Sequence, residues 1–204
     1  MRVQLVDVPL KRALDVVFCI LALPFVLPVG LLIGALVKLT SRGPVLYRAT
    51  RVGRDGKPFP LLKFRTMRTG AAGPGITRSG DDRITAVGKW LRATKLDELP
   101  QIVNVLRGEM SIVGPRPEDP RFVALYTPVQ RTVLDVRPGM TSMAFLRFGH
   151  EQEFIERAAP VDVEAFYVET IMPEKLEIEL QYLRDWSLGA DMRILARTMT
   201  ELVA

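Results

Sequence analysis

The sequence predicts an α/β protein, mostly helical with one small β-hairpin. An N-terminal re-entrant membrane helix (residues 1–40) carries a compact cytoplasmic domain (residues 41–204) with amphipathic interface helices. Three observations predict this. Val16–Val37 holds 22 consecutive residues without a charge. An Asp55-Gly56 pair separates two strand-like runs, the signal of a tight hairpin. Beyond it, apolar residues recur at helical spacing in several segments. The 204 residues suit one domain plus a membrane element, and 48% hydrophobic against 25% charged residues excludes a disordered chain.

As a helix, Val16–Val37 reaches roughly 30 Å, the thickness of bilayer hydrocarbon. It is too long for a signal-peptide core and runs into basic residues, so it is read as retained. Pro24 and Pro28 each remove a backbone donor and clash with the preceding turn, which predicts a break or sharp kink there. Lys11 and Arg12 precede the run, while Lys38, Arg42, Arg48 and Arg51 follow it. Basic residues at both ends favour a hairpin-like helix with both ends in the cytoplasm; a single-pass anchor kinked at proline remains the alternative.

Strands are predicted at Pro44–Val52 and Phe59–Phe64, with Lys63 and Arg65 on one face of the second. Thr69–Asp82, rich in Gly, Ala and Pro, reads as a mobile surface loop. Helices are predicted over Thr85–Thr94, from Asp97 to a stop at Gly108, and over Phe122–Arg131, Pro173–Asp185 and Asp191–Val203. The last two carry mixed apolar and charged faces suited to packing on the domain or lying on lipid.

The single Cys19 excludes a disulfide framework and a Cys-based zinc site, and the single His150 excludes a His cluster. Any metal is therefore a hard cation on oxygen ligands, with Mg²⁺ the first candidate. Leu96-Asp97-Glu98-Leu99-Pro100-Gln101 places two carboxylates at a predicted helix start. Asp97 suits an oxygen nucleophile and Glu98 a ligand for Mg²⁺; helix capping by Asp97 is the plainer alternative. Gly114-Pro115-Arg116-Pro117 holds an arginine between prolines, a preorganised fork for phosphate or, more simply, a turn with a surface ion pair. Lys63 and Arg65 lie close behind the membrane segment, where a lipid phosphate would meet them, unless they form a solvated basic strand. Arg92, Arg137 and Arg147 add positive charge to the same region. Together these features imply chemistry between a phosphorylated lipid and a phosphate-bearing soluble substrate.

The ordered motifs Arg51-Val52-Gly53, Lys63-Phe64-Arg65-Thr66-Met67, Leu96-Asp97-Glu98-Leu99-Pro100-Gln101, Arg107-Gly108-Glu109-Met110-Ser111 and Val113-Gly114-Pro115-Arg116-Pro117 resemble the bacterial monotopic phosphoglycosyl transferases. The resemblance extends from Lys11 to Leu195 and is to the small members containing only the catalytic domain. It implies transfer of a sugar 1-phosphate from a UDP-sugar to polyprenyl (undecaprenyl) phosphate, releasing UMP, at the inner membrane. This is the first membrane-committed step of bacterial glycoconjugate or exopolysaccharide assembly. By the same resemblance Asp97 forms a covalent phosphosugar intermediate and Glu98 holds Mg²⁺. Arg116 grips the nucleotide-sugar phosphates and Lys63 places the lipid phosphate, with Arg65, Arg92, Gln101, Pro115 and Arg137 as further binding residues. The family's Ser-Pro break is here Leu23-Pro24, so any break rests on Pro24 and Pro28. The run Ser142–Phe148 departs from the family pattern, with Arg147 a candidate replacement contact, and Glu179 stands where some relatives carry an Asp facing the site. Implied partners are the UDP-sugar, the polyprenyl phosphate, the bilayer and downstream glycosyltransferases, with dimerisation left open and no nucleic acid. A basic membrane scaffold or a metal-dependent lipid phosphatase are the rival readings, and release of UMP separates them from the transferase.

Overall fold

The computed structural model describes residues 9–70, 81–149, 155, 158 and 160–203. Residues 71–80 of the expected Thr69–Asp82 loop and His150 lie outside them. Helix α1 (Pro9–Thr40) leads into the antiparallel hairpin β1 (Leu46–Val52) and β2 (Pro58–Phe64). Asp55 and Gly56 both take positive φ in the connecting turn, as the Asp-Gly signal requires. Then come α2 (Ala86–Ala93), a 3₁₀ turn (Leu96–Glu98) and α3 (Gln101–Arg107). Thr85 caps α2 by accepting from the Gly88 amide at 2.9 Å, and Gly108 ends α3 in the left-handed region, as expected.

Short strands β3 (Ser111–Val113) and β4 (Gly139–Thr141) pair in parallel. Gly114 and Gly139 make that pairing close: a Cβ on Gly139 would lie 2.2 Å from the Gly114 nitrogen. Between the two strands lie α4 (Pro120–Val123) and a 3₁₀ turn (Gln130–Asp135). The continuous helix expected over Phe122–Arg131 is thus two short pieces, because Pro128 pushes Thr127 out of helical geometry. The chain closes with α5 (Met143–Phe148), α6 (Val163–Phe166), a π-helical turn (Tyr167–Ile171), α7 (Met172–Arg184) and α8 (Leu188–Val203). The last two match the expected helices to within three residues. Their main core gathers Phe122, Val133, Tyr167, Ile171, Leu176, Leu183 and Ile194.

Helix α1 is unbroken, and Pro24 and Pro28 lie inside it. The predicted helix–break–helix does not appear as an interruption: each proline deletes one bond, and the flanking turns keep the remainder. One stripe of α1 packs on the domain. Cys19 joins Ala49, Phe59, Leu61 and Val105, while Ile33 and Val37 join Phe64 and Leu91. The opposite face is bare, with Leu21, Phe25, Leu31 and Leu32 each more than two-thirds exposed.

Both ends of α1 are tied to that one domain. At the N-terminal end Lys11 pairs with Asp191 of α8, and Arg12 donates to the Val105 and Leu106 carbonyls at 2.7 and 3.1 Å. Asp15 accepts from the Ser111 hydroxyl and the Ile112 amide. At the other end, the buried Arg65 donates to the Val37, Ser41 and Pro44 carbonyls and to the Ser41 hydroxyl.

Candidate active site

Lys95 takes a left-handed conformation (φ 57°) and turns the chain into the 3₁₀ segment carrying Asp97 and Glu98. The sequence places these carboxylates at the start of an α-helix, but α3 begins only at Gln101, with Pro100 before it. The local field therefore comes from side chains rather than from a helix terminus. Asp97 is buried, and Glu98 is gripped from two sides. Its Oε1 accepts from Lys63 Nζ at 2.8 Å and Arg116 Nη2 at 2.5 Å, while its Oε2 accepts from Arg116 Nη1 at 3.2 Å.

Lys63 comes from β2 and Arg116 from the rigid loop after β3. Arg116 Nη1 also donates to the Met140 carbonyl of β4 at 3.2 Å. The Phe145 ring of α5 carries Arg116 and Lys95 at 5.6 and 5.7 Å from its centroid. Behind the loop, Glu179 of α7 accepts from the Arg116 backbone amide at 3.4 Å. Arg92 of α2 is oriented by donating from Nε to Thr66 Oγ1 at 2.9 Å.

The two adjacent carboxylates are tuned in opposite directions. Burial raises the Asp97 pKa, an effect that Lys63, Arg92 and Lys95 only partly offset. Burial also acts on Glu98, yet Arg116 and Lys63 overturn it and hold that carboxyl far below the usual range. Burial lowers the pKa of both Lys95 and Arg92. Glu179, fully enclosed, is pushed up to about 7 by burial against weaker help from Ser142, Arg116 and Ala144.

The structure thus brings Asp97, Glu98, Lys63, Arg92 and Arg116 into one electrostatic cluster, with Pro115 shaping the Arg116 loop and Glu179 behind it. Gln101 is buried one turn away. The structure places the remaining candidates in other contacts. Arg65 clamps the end of α1, and Arg137 donates to the Gly108 carbonyl at 2.9 Å. Arg147 pairs with Glu174 at the surface. Sequence reasoning missed Lys95, Met140 and Phe145; Lys95 adjoins the Asp97 motif, but only the fold discloses the other two.

Surplus positive charge around desolvated carboxylates suits a diphosphate. Among the described residues, no three His, Cys, Asp or Glu side chains converge as a metal cage. Mg²⁺ needs none: one or two carboxylates with substrate phosphates and water complete its shell, and the oxygens of Asp97 and Glu98 fit that donor set.

The family model of bacterial sugar transferases matches residues 6–204. The chain is 39% identical over 198 residues to the UDP-glucose:undecaprenyl-phosphate glucose-1-phosphate transferase of Caulobacter vibrioides, covering 95% of this chain and 69% of that protein. It is 34% identical to the UDP-N-acetylgalactosamine-undecaprenyl-phosphate N-acetylgalactosaminephosphotransferase of Aeromonas hydrophila, covering 95% and 44%. An exopolysaccharide production protein of Rhizobium meliloti is 35% identical over 93% of this chain and 83% of its own length.

Proposed function

From the premise that the chain belongs to the bacterial sugar transferase family, we propose that it moves a sugar 1-phosphate from a UDP-sugar to undecaprenyl-type polyprenyl phosphate. An Asp97 carboxylate oxygen attacks the β-phosphorus, the bond to UMP breaks, and UMP leaves with the electron pair. An oxygen of the lipid phosphate then attacks the same phosphorus, the bond to Asp97 breaks, and the polyprenyl diphosphate sugar departs. The observation that carries this reading is the pairing of a buried, only partly compensated Asp97 with a Glu98 held by Lys63 and Arg116. A desolvated carboxylate is a stronger nucleophile than a hydrated one, and its cationic neighbours favour a dianionic donor nearby.

Glu98 holds Lys63 and Arg116 in position, and the two cations with Arg92 offset charge developing on the phosphoryl oxygens. Asp97 and Glu98 are the ligands proposed for Mg²⁺, which when bound supplies Lewis-acid neutralisation of the diphosphate.

The seating of α1 supports insertion from one face. The helix is about 48 Å long, and a spanning orientation would carry its N-terminal end across the bilayer. Lys11, Arg12 and Asp15 instead bond to the domain that Arg65 bonds at the other end. The bare apolar face then lies in lipid while the site stays at the cytoplasmic surface of the inner membrane.

Incubation with a panel of UDP-sugars and Mg²⁺ tests the reading. One donor should release UMP and, without acceptor, leave a phosphosugar mass on the peptide containing Asp97; EDTA should suppress both. An adduct on another residue, or none in single-turnover samples that release UMP, sinks the mechanism.

A further inference from the structure

Helix α3 buries two side-chain amides on one face, and their surroundings differ. Asn104 is fully engaged: Oδ1 accepts from the Leu62 amide at 3.0 Å, and Nδ2 donates to the Pro60 carbonyl at 2.8 Å and to Glu109 Oε2 at 2.6 Å. Gln101, one turn earlier, is 1% exposed, yet neither Oε1 nor Nε2 has a hydrogen-bond partner among the described residues. An unpaired buried polar group is destabilising, and methionine or leucine would fill the same space without that cost. Gln101 follows Glu98 by three positions and Asp97 by four, with Leu99 and Pro100 in helical geometry, a spacing that puts all three on neighbouring positions of one helical surface.

We infer that Gln101 binds the sugar–phosphate portion of the donor, which deepens the proposed transfer reaction and rests on it. An amide with N–H donors on Nε2 and an acceptor on Oε1 complements a ligand with an acceptor and a donor close together. A phosphorylated sugar has that combination: Nε2–H donates to a phosphoryl oxygen, and Oε1 accepts from a sugar hydroxyl or amide N–H. An ionised lipid phosphate presents acceptors alone and leaves Oε1 unmatched. Gln101 therefore contacts the donor and the phosphosugar carried on Asp97, and the acceptor's binding does not depend on it.

The test uses Gln101→Met, with Gln101→Leu as a second apolar variant, in the whole 204-residue chain in membranes. Tm should stay level or rise by about 2–4 °C, since an unmatched buried amide has been removed. kcat/KM for the UDP-sugar should fall about 10–100-fold while KM for polyprenyl phosphate stays within about twofold. In thermal-shift titrations the UDP-sugar should protect wild type more than the variants, whereas UMP, which lacks the sugar, should protect both equally. A lower Tm with unchanged kcat/KM makes Gln101 a fold-internal residue and overturns the inference. Equal loss of UMP protection places the amide at the nucleotide and overturns it too. If wild type itself releases no UMP with any sugar donor, the transfer reading fails and this assignment fails with it. Wild-type turnover with unaffected variants removes the Gln101 assignment alone.

Discussion

Two of the buried polar regions among the described residues are finished to different degrees. At the N-terminal end of α1, Lys11 pairs with Asp191, which also accepts from the Tyr182 hydroxyl at 2.7 Å, and Asp15 accepts from both Ser111 and Ile112. Both charges of the ion pair are matched, and the region ties α1 to α8 as a lock. Around Asp97 the matching is incomplete. Burial raises the Asp97 pKa, Glu179 Oε2 and both amide atoms of Gln101 lack partners among the described residues, and Glu98 has both oxygens paired with acceptor capacity left on Oε2. Packing alone does not favour orphaned polar atoms; Arg65 Nε and Trp186 Nε1 are the other two buried without a partner among the described residues, and under the proposed reaction the Gln101 and Glu179 atoms are the ones a substrate would complete.

The contrast is broken most directly at Asp97. Asp97→Asn should reduce UMP release by at least about 10⁴-fold, as loss of a nucleophile does. The same change removes a desolvated charge, so Tm should hold or rise. Activity within tenfold of wild type would falsify the assignment. The lock should respond in the opposite sense. Lys11→Met leaves the buried Asp191 without its counter-charge, which should cost about 3–5 kcal/mol and lower Tm by about 6–20 °C. Lys11→Met with Asp191→Leu should recover at least half of that fall, because two apolar groups can replace a matched buried pair. If the single variant melts like wild type, the lock carries no stability.

Glu179 gives a smaller effect, read through pH. Its folded pKa, about 7, exceeds its ordinary value of 4.5, so the native state holds this proton more tightly than the unfolded chain. The resulting stability is complete below 4.5, falls as pH rises toward 7, and is gone above it. The difference corresponds to about 3 kcal/mol at most. Glu179→Gln should flatten the decline in Tm between pH 5 and about 8, measured by thermal melts. An unchanged slope would mean that the carboxyl is hydrated.

The sequence made α1, the hairpin, α2 and the last two helices legible because each has a local signal: a charge-free run, an Asp-Gly turn, a capping threonine or a long apolar period. It did not disclose β3 and β4, since strands of three residues have no measurable alternation. Those strands bring Met140 to Arg116. The carboxylate pair and its two main cations were legible as residues, but their division of labour was not. Lys63 and Arg65 lie two apart on one chain segment, yet Lys63 reaches Glu98 while Arg65 caps the carbonyls ending α1. Charge pattern cannot separate a cation that meets the carboxylate pair from one that closes a helix end, because the distinction lies in tertiary partners. The same reason hid the lock: Lys11 reads from sequence as a membrane-flanking cation.

Arg147 offers the finest probe of that distinction. From the sequence Arg147 is a candidate replacement for a missing polar contact where the chain departs from the family pattern, whereas its guanidinium pairs with Glu174 and lies 5.8 Å from the Phe148 ring centroid. The pair is open to solvent, with side-chain exposures of 64% and 38%. An ion pair so exposed loses most of its attraction to screening and side-chain entropy. Arg147→Ala should therefore change stability by less than about 0.5 kcal/mol and kcat/KM for the UDP-sugar by less than about twofold. A tenfold loss confined to the sugar donor, with polyprenyl phosphate kinetics intact, would show that α5 delivers Arg147 to the substrate and would extend the incomplete polar region to the protein surface.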